Sequence, residues 1–132
     1  MKSFFTPKEV SRVTGIHYQM AMNWNAKGFI CSTYKRKGKY RLYTFKDLTK
    51  LQLALILRKE GYSIQKQKLM FPILEKLLTE TPHPFIELSF LIEGDRMVIF
   101  PGDMVVSKAY HAGFVKFKVS DFRKLVDQVY PI

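Results

Sequence analysis

The chain has 132 residues, 47% of them hydrophobic, and a formal net charge of +11. That composition argues for a folded protein rather than a disordered one, with length for one core or two small lobes. No run approaches the roughly 18 apolar residues of a membrane helix, and a single cysteine, Cys31, excludes an internal disulfide framework or a multi-cysteine zinc site within one chain.

The charge is uneven. Residues 1–68 carry 15 Lys and Arg against Glu9, Asp47 and Glu60, whereas residues 69–132 carry 7 against 8 acidic residues. An anionic partner is therefore expected on the first half. The basic residues fall in a hairpin and on mixed helices, not on one amphipathic surface, which favours nucleic acid over a membrane. The N-terminus runs straight into a capped helix, so no secretory leader is expected. A cytoplasmic protein with access to the nucleoid is the expected setting.

In chain order, Thr6-Pro7-Lys8-Glu9 has the form of a capping box, with Pro7 at the first helical position and Phe5 placed as a hydrophobic staple. Val10 and Val13 fall on one face. Gly15 breaks the helix, and Ile16 would plug the corner. A second helix is predicted from Tyr18 to Lys27, stopped by Gly28, with Met20, Ala21 and Trp24 on its inner face. Helix, tight turn, helix is a DNA-binding arrangement whose second helix enters the major groove. His17, Tyr18, Gln19 and Asn23, near its start and at its edge, are the candidate base readers.

Phe29-Ile30-Cys31 and Tyr40-Arg41-Leu42-Tyr43 read as two strands around a basic loop. Lys35, Arg36, Lys37, Lys39 and Arg41 are the candidate backbone contacts. Thr44 to Asp47 opens a third helix as a second capping box, ending near Gly61. Its apolar residues (Leu48, Leu51, Leu53, Leu55, Ile56, Leu57) are broad enough for burial on more than one side. Ser63 caps a fourth helix, to about Thr79, with Ile64, Leu69, Ile73, Leu74, Leu77 and Leu78 as its apolar positions. Pro72 predicts a kink there, or two shorter helices meeting near Phe71.

Thr81-Pro82-His83-Pro84 is a break. Strands are predicted at 85–92, 97–100, 104–106 and 114–119. A last helix is predicted from Asp121 to about Tyr130, capped by Ser120, with Phe122, Leu125, Val126 and Val129 inward.

Several of these motifs together resemble the MerR-like winged-helix family over roughly residues 4–80. They are Thr14-Gly15-Ile16, Trp24, Lys27-Gly28-Phe29-Ile30, Gly38-Lys39-Tyr40-Arg41-Leu42-Tyr43, Thr44-Phe45-Lys46-Asp47-Leu48 and Leu57-Arg58-Lys59-Glu60-Gly61-Tyr62-Ser63-Ile64. The resemblance implies a cytoplasmic, usually dimeric, DNA-binding transcriptional regulator, with Arg41 and Tyr43 as wing contacts. The chain departs from the family at Met22, where arginine is common, and at His17, where a small cap is common. The long dimerising helix is not evident, and one cysteine does not make a cysteine-based metal sensor. His83-Pro84-Phe85, Phe90-Leu91-Ile92-Glu93-Gly94-Asp95 and Gly113-Phe114-Val115 loosely resemble MerR-like antitoxins of PIN-domain ribonuclease toxins, which also repress their own promoters.

The expected fold is α+β. Residues 1–80 would form a winged helix-turn-helix domain with two further helices. Residues 83–132 would form a small antiparallel β-sheet lobe with a C-terminal helix, for dimerisation or partner binding. The expected function is sequence-specific binding of double-stranded DNA as a homodimer on a pseudo-palindromic site. The alternative is an antitoxin that binds a toxin through residues 83–132, and DNA-architecture proteins with small winged helices are a further class. No cofactor, metal or membrane partner is expected. An enzyme is the weakest reading: Glu87, Glu93, Asp95 and Asp103 could gather near one end of the sheet, but acidic residues at turns are more commonly turn formers. His83 and His111 lack ligand-spaced partners, and no phosphate-binding glycine loop is present.

Overall fold

A computed structural model of the chain describes residues 2–35, 41–80, 88–93, 96–101 and 114–131. They form, in order, β1 (Phe4–Phe5), α1 (Pro7–Thr14), α2 (Tyr18–Ala26), β2 (Tyr34–Lys35), β3 (Arg41–Thr44), α3 (Phe45–Lys59), α4 (Ile64–Glu80), β4 (Leu88–Glu93), β5 (Arg96–Pro101), β6 (Phe114–Lys118) and α5 (Val119–Val129). The class is α+β with antiparallel pairing, as expected. Two compact units emerge: Met1–Leu55 with Lys124–Ile132, and Ile56–Arg123. This partition is not the one at residues 80 and 83. The last nine residues join the first unit, where the Tyr130 ring meets Phe5 edge-on at 6.2 Å.

In the first unit, α1 starts as its sequence predicts. The Glu9 N–H donates to Thr6 Oγ1 at 3.3 Å, and the Thr6 N–H donates to Glu9 Oε1 at 2.9 Å. Such caps are worth about 1 kcal/mol. Phe5 and Val10, at the two staple positions, are both fully buried. Gly15 ends α1 at φ +78°, in the left-handed region that glycine enters without steric cost, and donates to the Ser11 carbonyl at 2.9 Å. Ile16 fills the corner and is buried.

α2 ends in a Schellman motif. Gly28 lies at φ +71°. Its N–H donates to the Asn25 carbonyl at 3.1 Å, and the Phe29 N–H to the Trp24 carbonyl at 2.9 Å. The Phe29 and Trp24 rings then pack edge-on at 5.2 Å. This cap accounts for a departure from expectation. Phe29-Ile30-Cys31 forms no strand, because Phe29 closes the helix end and Ile30 dives into the core at 1% exposure. The hairpin's first strand is instead β2, paired Tyr34↔Leu42 and Lys35↔Arg41. Phe5 does more than staple: β1 pairs Phe4↔Thr44 and Phe5↔Tyr43, giving the strand order β1-β3-β2.

α3 opens with the second predicted capping box, formed by Thr44 and Asp47. Leu48, Leu51, Leu53, Ala54 and Leu57 are buried, an arc of roughly 220° at 100° per residue, so the broad apolar surface is covered as expected.

In the second unit, α3 closes with another Schellman motif. Gly61 lies at φ +93°, the Tyr62 N–H donates to the Leu57 carbonyl at 3.0 Å, and the Gly61 N–H to the Arg58 carbonyl at 3.1 Å. Ser63 Oγ then accepts the Lys66 N–H at 3.1 Å, starting α4. α4 runs unbroken through Pro72 rather than as two shorter helices. Proline removes only the bond to the Lys68 carbonyl. Lys68 and Pro72 are both exposed, so water can serve that carbonyl. The buried face also differs from expectation. Gln67 and Phe71 are buried, whereas Leu69 and Ile73 are 78% and 64% exposed.

The second sheet has the order β5-β4-β6. β4 pairs with β5 from Leu88↔Pro101 to Glu93↔Arg96, and with β6 from Ser89↔Lys118 to Glu93↔Phe114. α5 starts at Val119, directly after β6, so Ser120 lies inside the helix and is not its cap. Val119, Phe122, Arg123 and Val126 are buried, whereas Leu125, expected inward, is half-exposed. The expected break at 81–84 and strand at 104–106 lie outside the described residues, as do Glu87, Asp95, Asp103 and His111.

Candidate nucleic-acid interface

The unit Met1–Leu55 with Lys124–Ile132 carries 12 Lys and Arg against three carboxylates, Glu9, Asp47 and Asp127. Two of those carboxylates are spent on internal bonds. Glu9 closes the α1 capping box and pairs with Lys2 Nζ at 3.3 Å. Asp47 is 2% exposed and fully engaged in hydrogen bonds. The outward charge of this unit is therefore strongly positive, with Lys8, Arg12 and Lys27 among its exposed side chains.

α2 is oriented by its apolar residues. Ala21 and Trp24 are buried, Met20 only partly. At 100° per residue the opposite face carries Tyr18, Gln19, Met22, Asn23 and Ala26. Tyr18 is 50% exposed, and Gln19 and Asn23 are also exposed. His17 is the N-cap, its Nδ1 accepting the Gln19 N–H at 3.2 Å. That acceptor role puts the neutral ring's proton on Nε2, an exposed donor. Four of the sequence-derived candidates thus stand on one exposed helix start and flank. They can donate and accept hydrogen bonds in the manner base edges require.

The hairpin candidates divide. Lys35 and Arg41 are register partners in the ladder, and Arg41 is half-buried. Arg36, Lys37 and Lys39 lie outside the described residues. Tyr43 is a correction. It is fully buried in β3, so its phenol cannot reach a ligand on the outer surface. Its hydroxyl makes no hydrogen bond of ordinary geometry. Burial pushes that phenol above its ordinary pKa of 10.0, with the neighbouring Asn25 amide and Arg41 acting the other way.

Sequence reasoning missed Asn25. It is a junction, not a solvated residue: its Nδ2 donates to Ser32 Oγ at 3.4 Å and its carbonyl accepts the Cys31 Sγ–H at 3.7 Å. The doubled role of Asp47 was also hidden, since its link to Thr33 spans 14 residues. So was Tyr130, whose ring receives Lys2 Nζ at 5.8 Å and the Arg12 guanidinium at 5.6 Å. No local signal announces a contact between the two ends of a chain.

Among the described residues no group of three or more His, Cys, Asp or Glu could hold a metal ion. No helix among them is long and apolar enough to cross a membrane. A family model described as MerR HTH family regulatory protein matches residues 5–72. No curated protein matches the chain.

Proposed function

This chain belongs to the MerR HTH family of regulatory proteins, whose helix-turn-helix makes it a DNA-binding transcriptional regulator, and we propose that it binds a specific duplex sequence as a dimer on a pseudo-palindromic site. The observation that carries the proposal is the outward face of α2. Its start presents exposed His17, Tyr18 and Gln19, with Asn23 further along, on a unit whose free charge is positive. His17, Tyr18, Gln19 and Asn23 read base edges in the major groove. Lys35, Arg36, Lys37, Lys39 and Arg41 anchor the flanking phosphates. Two such units would lie one or two helical turns apart. Leu69 and Ile73, exposed on α4, are apolar side chains available for a contact between subunits. The setting is the cytoplasm, on the nucleoid.

The test is binding to a duplex from its own promoter, in excess random DNA, across a salt series. Neutralising Z phosphates gives a log–log slope of about −0.9Z. The expected result is a symmetric footprint that survives competitor, and a marked loss of affinity when Lys35, Lys37 and Lys39 become Glu. Equal, weak binding to all sequences would overturn sequence-specific recognition.

A toxin-binding role through residues 83–132 is the second reading. β5 and β6 are edge strands among the described residues, and edge strands can pair with an added strand. Failure of the full chain to co-purify with the product of a neighbouring toxin-like gene would count against it.

A further inference from the structure

We infer that Asp47 and Asn25 are positioning residues for DNA recognition, which together lock the hairpin to the recognition helix α2. The inference rests on the DNA-binding reading above. It starts from an excess of bonds at one carboxylate. A capping box needs two: the Asp47 N–H donates to Thr44 Oγ1 at 3.2 Å, and Asp47 Oδ2 accepts the Thr44 N–H at 2.9 Å. Asp47 makes two more. Oδ2 accepts the Thr33 N–H at 2.9 Å, and Oδ1 accepts the Thr33 hydroxyl at 2.9 Å. Helix capping gives no reason for the second pair.

The position of Thr33 and Thr44 supplies one. Thr33 immediately precedes β2, and Thr44 is the last residue of β3. Among the described residues, the ladder between these strands holds the pairs Tyr34↔Leu42 and Lys35↔Arg41. The carboxylate of Asp47 grips both strands at the base of this hairpin, through Thr33 and Thr44. Hydrogen bonds to an ionised, buried acceptor are among the stronger ones, and Asp47 is 2% exposed.

The other side of the same connector is tied to α2. Asn25 Nδ2 donates to Ser32 Oγ at 3.4 Å, and the main-chain carbonyl of Asn25 accepts from Cys31 Sγ at 3.7 Å. Residues 31–33 are thus held from the last turn of α2 on one side and from the first turn of α3 on the other. The angle between the base-reading face and the phosphate-gripping hairpin follows from these bonds. None of the side chains involved need touch DNA.

The test uses the full chain with four variants: Asp47→Ala, Asp47→Asn, Thr33→Val and Thr6→Ala. Thr33→Val removes one clasp bond at an exposed position and leaves the α3 cap intact. Thr6→Ala weakens the fold through the α1 cap, away from the clasp. For Asp47→Ala and Thr33→Val, the expected Kd rises about tenfold, and the salt slope shrinks by about one to two phosphates. Asp47→Asn can accept both N–H groups through its one oxygen and donate to the Thr33 hydroxyl, so it keeps a near-native slope. Thr6→Ala lowers the unfolding midpoint and leaves the slope unchanged. Native slopes and affinities for folded Asp47→Ala and Thr33→Val overturn the positioning role; should Asp47→Ala not fold, Thr33→Val decides alone. Absence of specific binding by the wild-type chain overturns the DNA reading and this inference with it, and that failure is read without any variant.

Discussion

α2 and α4 are two helices of opposite amphipathic sense. α2 buries Ala21 and Trp24 and turns Tyr18, Gln19 and Asn23 outward. α4 buries Gln67 and Phe71 and turns Leu69 and Ile73 outward. Both lie among helices with good caps, so local helix signals do not separate them. What separates them is the partner each outward face suits. A polar face beside unbalanced positive charge suits a duplex, whose base edges and phosphates need donors and acceptors. An apolar face suits another protein surface, because its exposure to water is unfavourable.

The comparison breaks most sharply by truncation. Trp24→Ala should cost about 3–5 kcal/mol, since it empties a buried site that also anchors the Schellman contact with Phe29. Leu69→Ala should stay within about 0.5 kcal/mol in a monomeric chain, being exposed. Urea unfolding of both variants checks this, and equal losses would mean that Leu69 is covered in solution.

A smaller effect is expected at Gln67. Its Nε2 donates to the Tyr62 carbonyl at 3.2 Å, at the junction where α3 turns into α4. Gln67→Met keeps the volume but removes that donor, and should cost about 1–3 kcal/mol by leaving a buried carbonyl short of a partner. An unchanged denaturation midpoint would show that the buried amide serves packing alone.

A small effect is also expected at Tyr43. Its folded pKa is raised above the unfolded value of 10.0, chiefly by burial. The resulting stability is fully present below pH 10 and is lost as pH rises through the folded pKa. Tyr43→Phe should change stability near neutral pH by less than about 1 kcal/mol, because the hydroxyl has no hydrogen bond of ordinary geometry to lose. Its alkaline decline above pH 10 should be shallower than that of the wild type. Parallel unfolding curves for the two chains across that range would remove Tyr43 as a contributor.

Local chemistry made much of this molecule legible in its residues alone. The capping boxes at Thr6 and Thr44 and the glycine stops at Gly15, Gly28 and Gly61 follow from bonds that span at most five residues. So do the tight turn before α2 and the inward Trp24. The exposed candidates His17, Tyr18, Gln19 and Asn23 came from the same helical period. Family-level identity follows from the same stretch, residues 5–72.

Tertiary structure alone decided the rest, because those choices depend on groups far apart in the chain. Pairing with β1 took Tyr43 from the surface into the core. The Schellman contact consumed Phe29 and moved the first hairpin strand to Tyr34–Lys35. Asp47 reached back to Thr33, and Tyr130 reached Phe5 across nearly the whole chain. On α4, the apolar period admitted either face as the buried one. Packing chose Gln67 and Phe71 and left Leu69 and Ile73 exposed.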